Sequence, residues 1–294
     1  MNRNDLFRAV GETDEDLLLE SEHPRQHKKP AFIALLAAAL AVVLLVLPHG
    51  NGGLEGPDDS LPTENIAGLA FNGAFYEATD LPEVLERFGL PPKITADLAG
   101  RHLAYLESDG GCGYRETGKE TGCELLEYAP FPCRAVMVLR DGERYQAVLF
   151  CSVIREDTND NMELCELFRC FYEIEDAGDL ASVTPVDWQR RAPTGPSVKD
   201  PAALREFYRI AGEMPSFGND DFQRLQFGDI PEEEQPAAHT AFADDLQILR
   251  VETVDGLCFY LSVYPEFRWA ESGGALSYYR LDDAALGWLR EYIL

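Results

Sequence analysis

The chain has 294 residues, 46% of them hydrophobic and 11% aromatic, enough apolar mass to fill a core and to exclude a wholly disordered protein. It sets 52 Asp and Glu against 25 Lys and Arg, a formal charge of -27. Such a polyanion has few cations with which to displace counterions from phosphates, which excludes nucleic acid as a partner and argues against a surface lying on anionic lipid.

Residues 1–30 read as a cytoplasmic helical segment. Asn4 caps a first short helix that stops at Gly11, and Thr13 opens a second, with Asp16 at capping-box spacing. Leu6, Phe7, Val10, Leu17 and Leu18 give these helices a small apolar face. Thirty residues cannot bury a core alone, so the segment either frays or docks on a cytoplasmic protein partner.

Residues 31–47 (AFIALLAAALAVVLLVL) carry no charged or strongly polar side chain. As a helix the run would span about 26 Å, near the lower limit for crossing a bilayer core. Arg25, Lys28 and Lys29 precede it, and no Lys or Arg follows until Arg87. The asymmetry predicts a single transmembrane helix with the N-terminus inside and the rest of the chain extracytoplasmic. A cleaved signal peptide is the rival reading; the leading segment is long and acid-rich for one, and no A-x-A site follows the run. Residues 48–67 are rich in Gly, Pro and Asp and read as a linker.

Beyond the linker the pattern predicts two α+β subdomains, 68–189 and 201–294, joined by a second linker at 190–200 (RRAPTGPSVKD). In the first, a strand over 71–76 precedes a helix bearing Val84, Leu85 and Phe88, which Gly89 terminates. Strands are predicted at 103–106, 124–128, 135–140, 145–153 and 167–174, with Asp141-Gly142 as a hairpin turn. In the second, Asp200 caps and Pro201 opens a helix with Leu204, Phe207, Tyr208 and Ala211 on one face. A hairpin over 246–254 and 257–264 turns at Asp255-Gly256. A strand over 275–281 leads to a last helix from Asp282, with Leu286, Leu289 and Ile293 inward. The expected fold class is α+β: one transmembrane helix, then an extracytoplasmic domain of antiparallel sheets with helices on one face.

All seven cysteines fall after residue 111, in the part expected outside. Cys112 and Cys123 flank a Gly-rich loop that a disulfide would close well. Cys133 and Cys151 approach across the Asp141-Gly142 hairpin. Cys165 and Cys170 lie on opposite faces if their segment is a strand. An odd total leaves at least one thiol free or paired with another chain. There is no C-x-x-C and the histidines are scattered, so no metal and no cofactor is expected.

Two motifs begin and then break. Residues 113–119 start as a phosphate loop, but Glu120 stands where Ser or Thr must hold magnesium. Residues 157–161 imitate a calcium loop, yet Met162 replaces the required Gly and Phe168 the bidentate Glu, which leaves an Asx-rich turn. The most unusual composition is YPEFRWAESGGALSYY, residues 264–279. Phe267, Trp269, Glu271, Tyr278 and Tyr279 there are the candidate ligand-binding residues if the turn is exposed, and packing residues if it is not.

Leu6, Ala9, Val10, Gly11 and Asp14, then the basic patch and the apolar run, carry a resemblance. So do NGAFYE from Asn72, RFGLPPKITADLAG from Arg87, RVETVDGLCFY and ESGGALSYYR. The chain resembles uncharacterised single-pass membrane proteins of anaerobic Gram-positive bacteria with an L-x-x-A-(I/V)-G-x-(I/T)-D motif, loosely anti-sigma-factor-like. Zinc anti-sigma proteins carry an H-x-x-x-C-x-x-C in their cytoplasmic domain, and residues 1–30 contain no cysteine. The resulting expectation is a non-enzymatic, membrane-anchored binding or sensing protein with an extracytoplasmic ligand or protein partner. An anti-sigma-like regulator acting through residues 1–30 and an envelope hydrolase are the alternatives.

Overall fold

A computed structural model describes residues 67–108, 113–157, 159–187 and 192–294. The segment expected to be cytoplasmic (1–30), the apolar run at 31–47 and residues 48–66 of the expected linker lie outside the described residues, as does Cys112, while Ala67, expected to end that linker, already belongs to a strand. Among the described residues no helix is long and apolar enough to cross a membrane.

Seven strands close into a barrel: β1 (Ala67–Phe71), β2 (Ala74–Thr79), β3 (Ala99–Ser108), β4 (Gly113–Thr117), β5 (Cys123–Tyr128), β6 (Val136–Asp141) and β7 (Arg144–Val153). Their order is β1-β2-β7-β6-β5-β3-β4, and β1 closes on β4. That seam is parallel, pairing Gly68 with Gly113 and Leu69 with Tyr114, which corrects the expectation of purely antiparallel pairing. Closure satisfies edges that an open sheet would leave as unpaired N–H and C=O groups. Alternation fixes which side faces in: on β2, Ala74, Tyr76 and Ala78 are buried while Phe75 is exposed.

The strand expected over 71–76 is instead a hairpin. Asn72 and Gly73 both take positive φ (46° and 77°), the backbone of a two-residue I′ turn. Helix α1 (Pro82–Arg87) follows, with Leu85 buried. Gly89 ends it at φ 73°, where a Cβ would lie 1.9 Å from the carbonyl oxygen of Gly256, so glycine is required there twice over. The approach is sealed by Cys258 N–H donating to Phe88 O (3.1 Å) and the Tyr260 hydroxyl donating to Arg87 O (2.9 Å).

The segment at 167–174 is not a strand. Residues Leu164–Tyr172 form helix α2, burying Leu164, Cys165, Leu167, Phe168 and Phe171 at helical spacing, so Cys165 and Cys170 share a helix. Glu173 stops it in the left-handed region (φ 56°).

Strand β8 (Leu180–Val186) opens a second sheet with β9 (Ser216–Phe217), β10 (Gln247–Thr253), β11 (Cys258–Tyr264), β12 (Trp269–Ser272) and β13 (Ser277–Arg280), in the order β8-β10-β11-β12-β13-β9. Its pairings are antiparallel. β8 precedes the 190–200 segment yet pairs with β10, which follows it. Bridges from Val183 to Val198 and from Val186 to Pro193 lay the end of that segment along β8.

Four more helices complete the fold: α3 (Pro201–Glu213), α4 (Asn219–Phe227), α5 (Gln235–Asp244) and α6 (Asp283–Tyr292). Asp200 caps α3 by accepting from Ala202 and Ala203 N–H, and Asp282 caps α6 by accepting from Ala285 N–H. Contrary to expectation, the helices take both faces of the sheet. Leu164 of α2, Phe207 and Ile210 of α3 and Trp288 of α6 meet Leu249, Leu261, Val263 and Ala270. Tyr264 and Trp269, the chain neighbours of Val263 and Ala270, point to the other face and pack with Phe222, Phe227 and Phe242 of α4 and α5. The first of these cores is continuous with the barrel interior; the second is a separate aromatic cluster.

Candidate functional site

A cleft of about 240 Å³ opens where barrel, α2 and the second sheet meet. Its walls come from three distant stretches: 130–133 between β5 and β6, 172–174 at the end of α2, and the β10–β11 turn at Thr253, Asp255 and Leu257, with Asp179 beside it. Each wall is locally fixed. Pro130 and Pro132 restrict the first loop, and the Phe131 ring packs edge-on to Tyr128 at 4.8 Å. The left-handed backbone of Glu173 turns the chain out of α2. Thr253 N–H donates to Leu257 O (2.9 Å), Leu257 N–H to Thr253 Oγ1 (3.1 Å) and Val254 N–H to Asp179 O (2.9 Å). The Asp179 carboxylate accepts from the N–H groups of Glu175 and Asp176, so it is held in place before any ligand arrives.

Glu173, Asp179 and Asp255 are the acidic residues lining the cleft, and its lining contains no Lys, Arg or His. Tyr172 lies stacked on Phe259 (4.1 Å), and its phenol is pushed far up by burial. The Cys133 thiol is pushed up to about 11 by burial, reinforced by Glu173 and Asp255. At neutral pH that sulfur is a thiol rather than a thiolate, a poor nucleophile and a poor metal ligand. The arrangement favours holding a positive group against the carboxylates and the aromatic rings of Phe131 and Tyr172.

The stretch at 264–279 is built as strands rather than as one exposed loop. Trp269 and Tyr279 are fully buried, and they face opposite sides of the sheet: Trp269 toward α4, donating Nε1–H to Gln226 Oε1 (2.8 Å), and Tyr279 toward the other side, donating to Met162 O (3.1 Å). Tyr278 stacks on Phe222 (3.7 Å) and Phe267 packs edge-on to Phe242 (5.3 Å). Glu271 lies beneath that layer, accepting from the Tyr264 hydroxyl (3.2 Å). Four of the five candidates are therefore gathered in one aromatic layer, and Tyr279 is not among them.

Cys123 lies on β5, whereas its candidate partner Cys112 is outside the described residues; no disulfide joins any two of the six described cysteines. Within 157–161, Asn159 N–H donates to Asp157 Oδ1 (2.8 Å), the bond an Asx-rich turn makes, and the Asn159 amide bonds Asp221 of α4. Among the described residues no group of three or more His, Cys, Asp or Glu is placed to hold a metal. Sequence reasoning missed the cleft. The signal available was Asp255-Gly256, read only as a turn, and the rigid Pro-Phe-Pro-Cys at 130–133.

Comparison with protein-family models, with curated proteins and with solved structures finds no match to this chain.

Proposed function

We propose that the chain is a non-enzymatic, membrane-anchored binding or sensing protein whose extracytoplasmic domain captures a cationic ligand in the cleft at Glu173, Asp179 and Asp255. The observation that carries this reading is the lining itself: three acidic and two aromatic residues around about 240 Å³, with no basic residue among them. An ammonium or guanidinium group entering there gains Coulomb attraction and ring contact together. A cluster of negative charge in a partly enclosed site also raises the local concentration of cations before contact. The anchor rests on the apolar run at 31–47 and the basic residues before it.

The test is a thermal-shift titration with lysine, arginine, spermidine and a short Lys-rich peptide, against neutral sugars and glutamate as controls. A ligand that binds only the folded form stabilises it by about 2.7 kcal/mol at a hundredfold excess over Kd. Dose-dependent shifts for the cations alone, removed by Glu173→Gln with Asp255→Asn, are expected. Equal shifts for all compounds, or none, would sink the cationic reading.

A further inference from the structure

Glu271 occupies the middle of the second sheet on its α4–α5 side. In register it lies opposite Ser262 of β11 and Tyr278 of β13. Above it, Phe222 stacks on Tyr278 with ring centroids 3.7 Å apart, and Phe242 stacks on Tyr264 at 4.0 Å. Its polar contact is the Tyr264 hydroxyl at 3.2 Å, and among the described residues no cation forms an ion pair with it. As a residue Glu271 keeps some exposed surface, but its carboxyl group is closely surrounded, and that is what governs ionisation. An ionised carboxylate in such a place has lost water without gaining a counter-charge, an unfavourable state that protonation relieves.

The groups facing this acid come from every packed element. From the sheet they are Tyr264, Ser262 and Tyr278, with Arg280 held over the Trp269 ring (4.7 Å) and Arg155 acting at longer range on Tyr278. Helices α4 and α5 contribute the rings of Phe222, Phe227 and Phe242 and the uncharged amide of Gln226, and at the end of α5 Asp245, also raised by burial, accepts from Glu266 and Phe267 N–H. His239 of α5 stacks on Phe227 (4.0 Å), away from the carboxyl contact.

We propose that α4 and α5 form an acid-stabilised cover on the second sheet, with protonation of Glu271 as the event that tightens it. Burial raises the carboxyl above its ordinary range, and the Tyr264 hydroxyl opposes the rise only in part. The sign follows from linkage. Stability of the cover is full below the ordinary glutamate range, falls as pH rises through the raised folded-state value, and is flat above it. The device is independent of the cleft, whose carboxylates sit in a different part of the fold.

Hydrogen exchange of the full-length protein between pH 4 and 8, corrected for intrinsic rates, tests it. Helices α3 and α6 of the same molecule serve as the internal reference. In the wild type, protection of 219–227 and 235–244 should fall several-fold relative to that reference as pH rises. With Glu271→Gln most of that fall should vanish, leaving the smaller change that Asp245 contributes at the end of α5. Tyr264→Phe, which removes the opposing hydroxyl, should move the wild-type transition to higher pH. A wild-type ratio that does not change with pH, or a Glu271→Gln ratio that changes as the wild type does, overturns the proposal. So does a Tyr264→Phe transition that stays put or moves down.

Discussion

The barrel and the six-stranded sheet deal with the same liability by opposite means. In the barrel each strand finds a neighbour, because β1 closes on β4. The sheet stays open, and its β8 edge is strapped by the bridges from Val183 and Val186. Closure gives the barrel an interior, filled by Ala74, Tyr76, Leu106 and Leu125 among others, and β6 is covered on its outer side as well, Val136 to Leu139 all being buried. The open sheet has two faces to cover, and it does so unequally. Its α2–α3–α6 face joins the barrel's core, whereas its α4–α5 face is a separate aromatic layer. One lesson is that a region outside the shared core can respond to its surroundings without unfolding the rest.

Substitutions can break that contrast. The largest effect is expected from Trp269→Ala, which empties the centre of the aromatic layer and should cost about 4 kcal/mol in denaturant unfolding. If the layer is separate, exchange protection in α4 and α5 should fall before that of the barrel strands; a uniform loss would join the two cores. Gly89→Ala attacks the junction, forcing a Cβ toward Gly256 O at positive φ. A loss of about 3 kcal/mol is expected there, felt in barrel and sheet alike, readable as one shifted transition rather than two. Gly73→Ala meets no neighbour and carries only the strain of φ 77°, about 1 kcal/mol by the same measurement. Smallest of all, Arg101→Ala removes an exposed ion pair to Glu127 on the barrel wall and should stay within about 0.5 kcal/mol of wild type.

The elements legible in the sequence were those whose cause is local. Asp141-Gly142 and Asp255-Gly256 announce their hairpins, and Asp200 with Pro201 announces α3, because a turn or a cap needs only its own residues. The expectation of a strand at 167–174 rests on a short run rich in aromatic residues, which suits strand and helix alike, and the buried Leu164, Leu167, Phe168 and Phe171 show the helical spacing. Strand β8 is not among the predicted elements, and it holds Pro185, a residue that interrupts most strands. Its place at the sheet edge, beside the strap, is where a proline is tolerated. Helices α4 and α5 are held mainly by three phenylalanines, among polar residues in α4 and alanines in α5, too sparse a signal without the sheet beneath them. The cleft was the least visible. Cys133, Glu173 and Asp255 are tens of residues apart, and only closure of the barrel against the β10–β11 turn brings them within reach.

The seam between β1 and β4 carries a mechanical implication. It consists of two residue pairs, whereas β1 is joined to β2 by five. Because β1 directly continues the chain from residue 66, any tension arriving along the backbone loads this strand first. The seam is then the weakest fastening in its path, while the β1–β2 ladder shares the load over more bonds. A pulling experiment that tethers the chain upstream of residue 67 should therefore register a small early yield as the barrel opens along that line, ahead of the main rupture.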